Sequence, residues 1–202
     1  MLTNKFKINY SIGAVANGIK TDTFTFFLLF FYSNIIGLNP GLAGLAIFIA
    51  LCVDAVTDPL MGTISDRTNS KYGRRHPYMM ISFIPMSLGY ILLFAPRQDW
   101  DMSQNDLFLW MTIFTIITRI GMTLFDIPHR AFGGEVTKDY EERTLLMSWR
   151  EMIGWVAGLS NAFLGYGIFF ASTPEYPQGQ LNPDAWFPFA LTGAVFMIIS
   201  VL

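Results

Sequence analysis

The chain has 202 residues, 52% of them hydrophobic and 14% charged, and a formal net charge of −2. Ordinary soluble domains carry about 25% charged residues, so the composition argues against one, and a single cysteine, Cys52, excludes an internal disulfide or a cysteine metal cluster. No glycine-rich nucleotide loop, nucleophile elbow or metal-ligand cluster is present, so neither a cofactor nor an ATP-driven step is expected, and no nucleic-acid partner.

The apolar residues fall in blocks of about 20, long enough for a helix to cross the ~30 Å hydrocarbon core. The expected fold class is all-α, a polytopic membrane protein, with spans at about residues 10–32, 42–64, 77–95, 107–132, 146–171 and 186–202. The first block is interrupted by Asn17, Lys20 and Asp22, which does not suit a cleavable signal. Cys52 in the second reads as small packing filler. The sixth is still apolar at Leu202, so a truncated sixth helix of a longer protein is expected. Lys5, Lys7, Arg67, Lys71, Arg74, Arg75, Lys138 and Arg143 fall on one side of the spans, against Arg97 alone on the other. That asymmetry places the N-terminus in the cytoplasm. Trp100, Trp110, Tyr176 and Trp186 fall near the outer boundary, as an aromatic belt would.

Ionisable residues inside a membrane are costly and mark cavities or partners. Span one holds Lys20 and Asp22, span two Asp54 and Asp58, span four Arg119, Asp126 and Arg130, and span five opens with Arg150 and Glu151. Asp54 and Asp58 are four apart on one helix face, about 5–6 Å apart at Cβ. Two buried like charges cannot both stay ionised cheaply, so a proton, a cation or a basic side chain such as Lys20 or Arg119 must neutralise them. On a helical wheel Thr57 lies about 60° to one side of Asp54 and Asp58 about 40° to the other. Pro59 has no N–H, which frees the carbonyl of Ala55 beside them. Carboxylates, a hydroxyl and a carbonyl are hard oxygen ligands for a proton or an alkali cation. In span four, Thr123 and Asp126 share a face and Pro128 frees the carbonyl of Leu124, so packing of spans two and four would complete the shell.

Several motifs then resemble one family. Lys7 to Ala14 is similar to the start of the glycoside–pentoside–hexuronide:cation symporters, the melibiose-carrier-like branch of the major facilitator superfamily. Asp54-Ala55-Val56-Thr57-Asp58-Pro59-Leu60-Met61-Gly62 resembles that family's D-x-x-x-D-P-x-x-G signature. Asp66-Arg67-Thr68 with Tyr72-Gly73-Arg74-Arg75-His76-Pro77 resembles the loop that follows, and Asp126-Ile127-Pro128 through Thr137, then Asp139 to Thr144, the fourth-helix end and its loop.

The resemblance implies the N-terminal six-helix bundle of a 12-span carrier in a bacterial-type inner membrane, with the C-terminal half missing here. It implies a cation site of Asp54, Thr57, Asp58 and Thr123, with Na⁺ or H⁺ as coupling ion, and solute contacts from Asp126 and Arg150. The family's helix-one acid falls on Gly18 and its stacking tryptophan on Arg130. Asp22, one turn on, is placed to replace the acid, and Arg130 and Lys20 would suit an anionic sugar such as a uronate. Asp66, Arg67, Arg74 and Arg75 would form a gating latch across helix ends. The expected function is cation-coupled symport of a sugar or sugar derivative, with membrane lipid and a small-molecule solute as partners, and not enzymatic. The rivals are a sodium-dependent lysolipid carrier, a non-transporting receptor or assembly half, and a membrane-embedded aspartyl enzyme using Asp58 and Asp126, which would leave the loop motifs unexplained.

Overall fold

A computed structural model describes residues 2–202. Every regular element among them is helical: α1 (Asn4–Ile12), α2 (Ala14–Asp22), α3 (Leu28–Phe30), α4 (Pro40–Arg67), α5 (His76–Leu93), α6 (Gln104–Glu135), α7 (Tyr140–Leu164) and α8 (Trp186–Val201), with short 3₁₀ and π turns between. Five helical runs are long and apolar enough to cross a membrane: Pro40–Arg67, His76–Leu93, Gln104–Glu135, Tyr140–Phe169 and Pro183–Val201. The chain from α1 through Ile36 is a further helical run, with wide π turns at Thr23–Phe27 and Phe31–Ile36. Such turns leave the regular hydrogen-bond ladder and often sit at functional positions.

Local chemistry sets the helix ends. Asn39 caps α4 by accepting from the Gly41 amide at 2.8 Å, with Pro40 at the first helical position, where its missing N–H is no loss. Ser103 and Asp106 form a reciprocal capping box at the start of α6, and Asp139 accepts from the Glu141 and Glu142 amides to start α7. The first run ends on Gly37, at φ +86°, a left-handed conformation that glycine adopts without strain. Pro59, Pro85 and Pro128 lie inside helices that continue past them.

Small residues and aromatics hold the bundle. Helices in lipid gain by close van der Waals packing, which small residues permit. A Cβ on Gly121 would lie 2.4 Å from the Met86 amide nitrogen, and one on Gly89 2.7 Å from the Thr118 hydroxyl, so α5 and α6 touch along their backbones. A Cβ on Gly18 would lie 2.0 Å from the Gly154 carbonyl oxygen, which seats α2 equally tightly on α7. Away from the loop that joins α4 to α5, Phe27, Phe31, Phe94, Phe170 and Phe189 pack around Trp186 and one another. Trp186 is fully buried there, so it belongs to the core and not to the expected aromatic belt. Its indole N–H donates to the Gln180 carbonyl at 3.0 Å, which lets a polar ring be buried. Cys52 is exposed on α4 and fills no core position.

Candidate ion and solute site

α4 packs along α6, and this pairing brings the two acids of α4 to the polar face of α6. The Thr123 hydroxyl donates to Asp58 Oδ1 at 2.7 Å. One turn away the Arg119 guanidinium makes an ion pair with Asp54 Oδ2, and its charge lies 5.4 Å from the centre of the Phe24 ring. Asp54 Oδ1, Thr57 Oγ1 and Arg119 Nε are buried without a hydrogen-bond partner. Buried polar atoms are nearly always paired, so all three still need a partner, and the two oxygens are the ones that a cation or proton would satisfy. Asp54, Thr57, Asp58 and Thr123 thus lie along the α4–α6 seam, with Arg119 as an added neighbour.

The solute candidates lie on α2, α6 and α7. Asp126 is held from two sides: Arg130 Nε donates to its Oδ2 at 2.7 Å, and Arg150 pairs with its Oδ1. Glu151 adds to the same network, 2.6 Å from Arg150 Nη1 and 3.6 Å from Arg130 Nη1. Arg150 is almost fully buried, which a guanidinium tolerates only when carboxylates and acceptors surround it. Asp22 stands apart, buried, with Oδ2 unpartnered. Lys20 is within electrostatic reach of Asp54, Asp58 and Asp126. Three basic side chains, Lys20, Arg119 and Arg150, and four acidic ones, Asp22, Asp54, Asp58 and Asp126, are buried or half-buried here, an excess of one negative charge, while Arg130 and Glu151 are exposed at the edge and offset each other.

His129, on α6, holds this network in place. Its ring is stacked between Tyr10 and Phe125, with centroids at 4.3 and 4.9 Å. Nδ1 accepts from Arg150 Nε at 3.4 Å, and Nε2 lies 3.1 Å from the Tyr10 carbonyl oxygen. An acceptor on one side and a donor on the other fit a neutral imidazole with the proton on Nε2. The Tyr10 hydroxyl returns a bond to the His129 carbonyl at 2.9 Å. Sequence spacing gave no signal for this, because 119 residues separate the two partners.

At the end of the bundle carrying the loop between α4 and α5, Arg75 is buried between Asp66, at 2.7 Å, and Glu135, at 3.0 Å. Arg74 also reaches Glu135, at 3.1 Å. Three of the four expected latch residues are joined, through a fourth partner on α6 that the motif did not include. Arg67 stays exposed and outside the cluster.

An all-helical bundle of membrane-crossing length, with paired charges along its interior seams, defines an integral membrane protein of transporter type. The family described as MFS/sugar transport protein matches residues 9–202, and the chain belongs to it, as its resemblance to the glycoside–pentoside–hexuronide:cation symporters indicates. It is 32% identical over 165 residues to the inner membrane symporter YicJ of Escherichia coli (strain K12), covering 81% of this chain and 35% of that protein. It is 32% identical over 206 residues to the putative glycoside/cation symporter YagG of the same organism, covering 87% of this chain and 44% of that protein. The chain thus spans less than half the length of these relatives. The inward-open xylose transporter XylE from E. coli superposes with a TM-score of 0.69 at 13% identity, over 98% of this chain and 46% of that one; this likeness is one of fold.

Proposed function

We propose that the chain is the N-terminal six-helix half of a 12-span symporter of the inner membrane, its N-terminus cytoplasmic, that moves a sugar or sugar derivative together with Na⁺ or H⁺ by alternating access. The observation that carries the reading is the single excess negative charge in the interior, beside two unpartnered oxygens, Asp54 Oδ1 and Thr57 Oγ1. In a low-dielectric interior an uncompensated charge is expensive, and one monovalent cation or proton removes it. Asp54, Thr57, Asp58 and Thr123 supply its oxygens. Asp22, Asp126, Arg130 and Arg150 supply the solute contacts, since carboxylates and guanidinium forks are the groups that hold vicinal hydroxyls. A bound cation relieves repulsion across the seam and favours the geometry in which the solute contacts are aligned. By linkage, solute then raises cation affinity by the same factor. Asp66, Arg74, Arg75 and Glu135 set the conformational balance at the helix ends. Midplane ion and solute sites at the repeat interface are the general arrangement of such carriers.

The test is uptake by the full-length protein in proteoliposomes, with glycosides, pentosides, uronates and lysophosphatidylcholine offered with and without a sodium or proton gradient. Sugar uptake driven by one of the gradients is expected, and Asp58→Cys should reduce it at least about a hundredfold, the loss of an interaction of roughly 3 kcal/mol. Uptake indifferent to both gradients, or full coupling in Asp54→Cys and Asp58→Cys, overturns the reading. Uptake of lysophosphatidylcholine alone makes the chain half of a lipid carrier.

A further inference from the structure

We propose that His129 is a positioning residue for solute binding: without touching the solute, it fixes the plane of the Arg150 guanidinium and ties that plane to the first helical run. The proposal rests on the symport reading, in which Arg150 contacts the solute, and adds a residue that the reading does not use. Arg150 is held at three corners. Its Nη2 pairs with Asp126 Oδ1, its Nη1 donates to Glu151 Oε1 at 2.6 Å, and its Nε donates to His129 Nδ1 at 3.4 Å. The two carboxylates are free to follow the guanidinium, since Glu151 is exposed and Asp126 is otherwise anchored by Arg130, itself exposed. His129 is not free to follow it. The residue is only 4% exposed, and its ring lies between those of Tyr10 and Phe125 at interplanar angles of 17° and 18°. Bare backbone of the first run presses on the same ring: a Cβ on Gly13 would lie 3.0 Å from His129 Nε2 and 2.9 Å from the Phe125 ring. Of the three contacts on Arg150, the imidazole is therefore the fixed one.

Two bonds give the ring a single orientation. Nε2 lies 3.1 Å from the Tyr10 carbonyl oxygen, and Nδ1 faces Arg150. Half a turn of the ring would put carbon atoms in place of both nitrogens and leave buried polar groups unpaired, which is costly. The Tyr10 hydroxyl donates to the His129 carbonyl at 2.9 Å, so α1 and α6 are joined in both directions. With its proton on Nε2, the neutral imidazole offers Arg150 a lone pair. A guanidinium is a rigid planar fork, so holding Nε as well as both Nη atoms sets its plane. A guanidinium has five N–H donors, and these contacts use three of them. The direction of the other two, the ones left for a solute hydroxyl, follows from the plane. Because the ring is seated on α1, a displacement of α1 against α6 tilts Arg150, which links the first run to the solute arginine.

Two substitutions separate the polar role of the ring from its packing. Asparagine carries its side-chain oxygen where histidine carries Nδ1, so His129→Asn keeps an acceptor for Arg150 and loses the stack. His129→Phe keeps the stack and loses the acceptor. Both are tested in the full-length protein in proteoliposomes, with the best-transported sugar of the panel of glycosides, pentosides and uronates. His129→Phe should raise KM about tenfold or more, the scale of one hydrogen bond to a charged group, with the maximal rate within about threefold and the unfolding midpoint unchanged. His129→Asn should keep KM within about threefold while its midpoint falls with the lost stacking. In protein labelled with ¹⁵N-histidine, the signal that His129→Phe removes should be that of a neutral ring protonated on Nε2 at neutral pH. An unchanged KM in His129→Phe, an equal rise in both variants, or a ring protonated on Nδ1 overturns the positioning role and leaves symport standing. A panel of which no member is taken up along either gradient overturns the symport reading and this role with it.

Discussion

Arg119 changes what the two acids of α4 require. The sequence poses them as a like-charge pair needing a neutraliser, and the structure gives Asp54 an internal one through its ion pair with Arg119. Asp58 keeps only a hydroxyl donor, Thr123. On the proposed reading the seam then takes one mobile positive charge and not two. Arg119→Gln should raise the interior excess to two negative charges, and cation dependence of uptake should then become steeper than first order or shift to lower cation concentration by about tenfold, as one added unit of charge at close range implies. Initial uptake rates against cation concentration measure this; an unchanged curve would mean that Arg119 has no part in ion binding. The acids themselves were legible from their four-residue spacing inside an apolar run. Their separate fates were not, because the partner comes from a helix 65 residues away.

At the scale of the helices, Gly18 shows how a motif position is read differently once two elements meet. Along the chain it is the place where the resemblance puts an acid. Between α2 and α7 it is a contact surface on which a Cβ would lie 2.0 Å from the Gly154 carbonyl oxygen. Even Gly18→Ala must push the helices apart, with an expected cost of about 1–3 kcal/mol. Gly134 on α6 has nothing within 4 Å of an added Cβ, so Gly134→Ala should cost nothing and gain up to about 1 kcal/mol in helix propensity. Thermal unfolding of the two variants in detergent compares them; equal midpoints would contradict the tight α2–α7 crossing. The broken first run belongs to this scale too. Its apolar block reads as one straight span, but Thr23 lies in a π turn where its hydroxyl meets Tyr90 at 2.8 Å and Asn161 at 3.2 Å. Nothing in the local pattern announces that network, whose members come from three different helices.

Over the whole molecule, the charge clusters divide the bundle into an interior seam and a clamp at one end. Arg75 is the centre of the clamp, with its side chain only 7% exposed between Asp66 and Glu135. Removing one partner of a buried charge costs more than the pair is worth, although Glu135 is itself half exposed and solvent screens it. Glu135→Gln should therefore lower stability by about 1 kcal/mol and shift the balance between open states, whereas the exposed Arg67→Gln should change either less. Unfolding midpoints and cysteine accessibility along α4 report both, and identical behaviour of the two variants would exclude a clamp centred on Arg75.

The sequence by itself determined the solvent in which this chain folds, the helical class, the positions of the costly charges and the family, because hydrocarbon admits only backbones that satisfy their own hydrogen bonds and punishes each unpaired charge. Tertiary structure alone decided which charge meets which: Arg119 with Asp54, Arg150 with Asp126 and His129, Arg75 with Glu135. It also decided that Gly18 is a helix contact. Periodicity fixes the face of a helix that a residue occupies, but partners across a bundle depend on the rotation and depth at which helices cross, and those are set by side-chain packing at contacts distant in the chain.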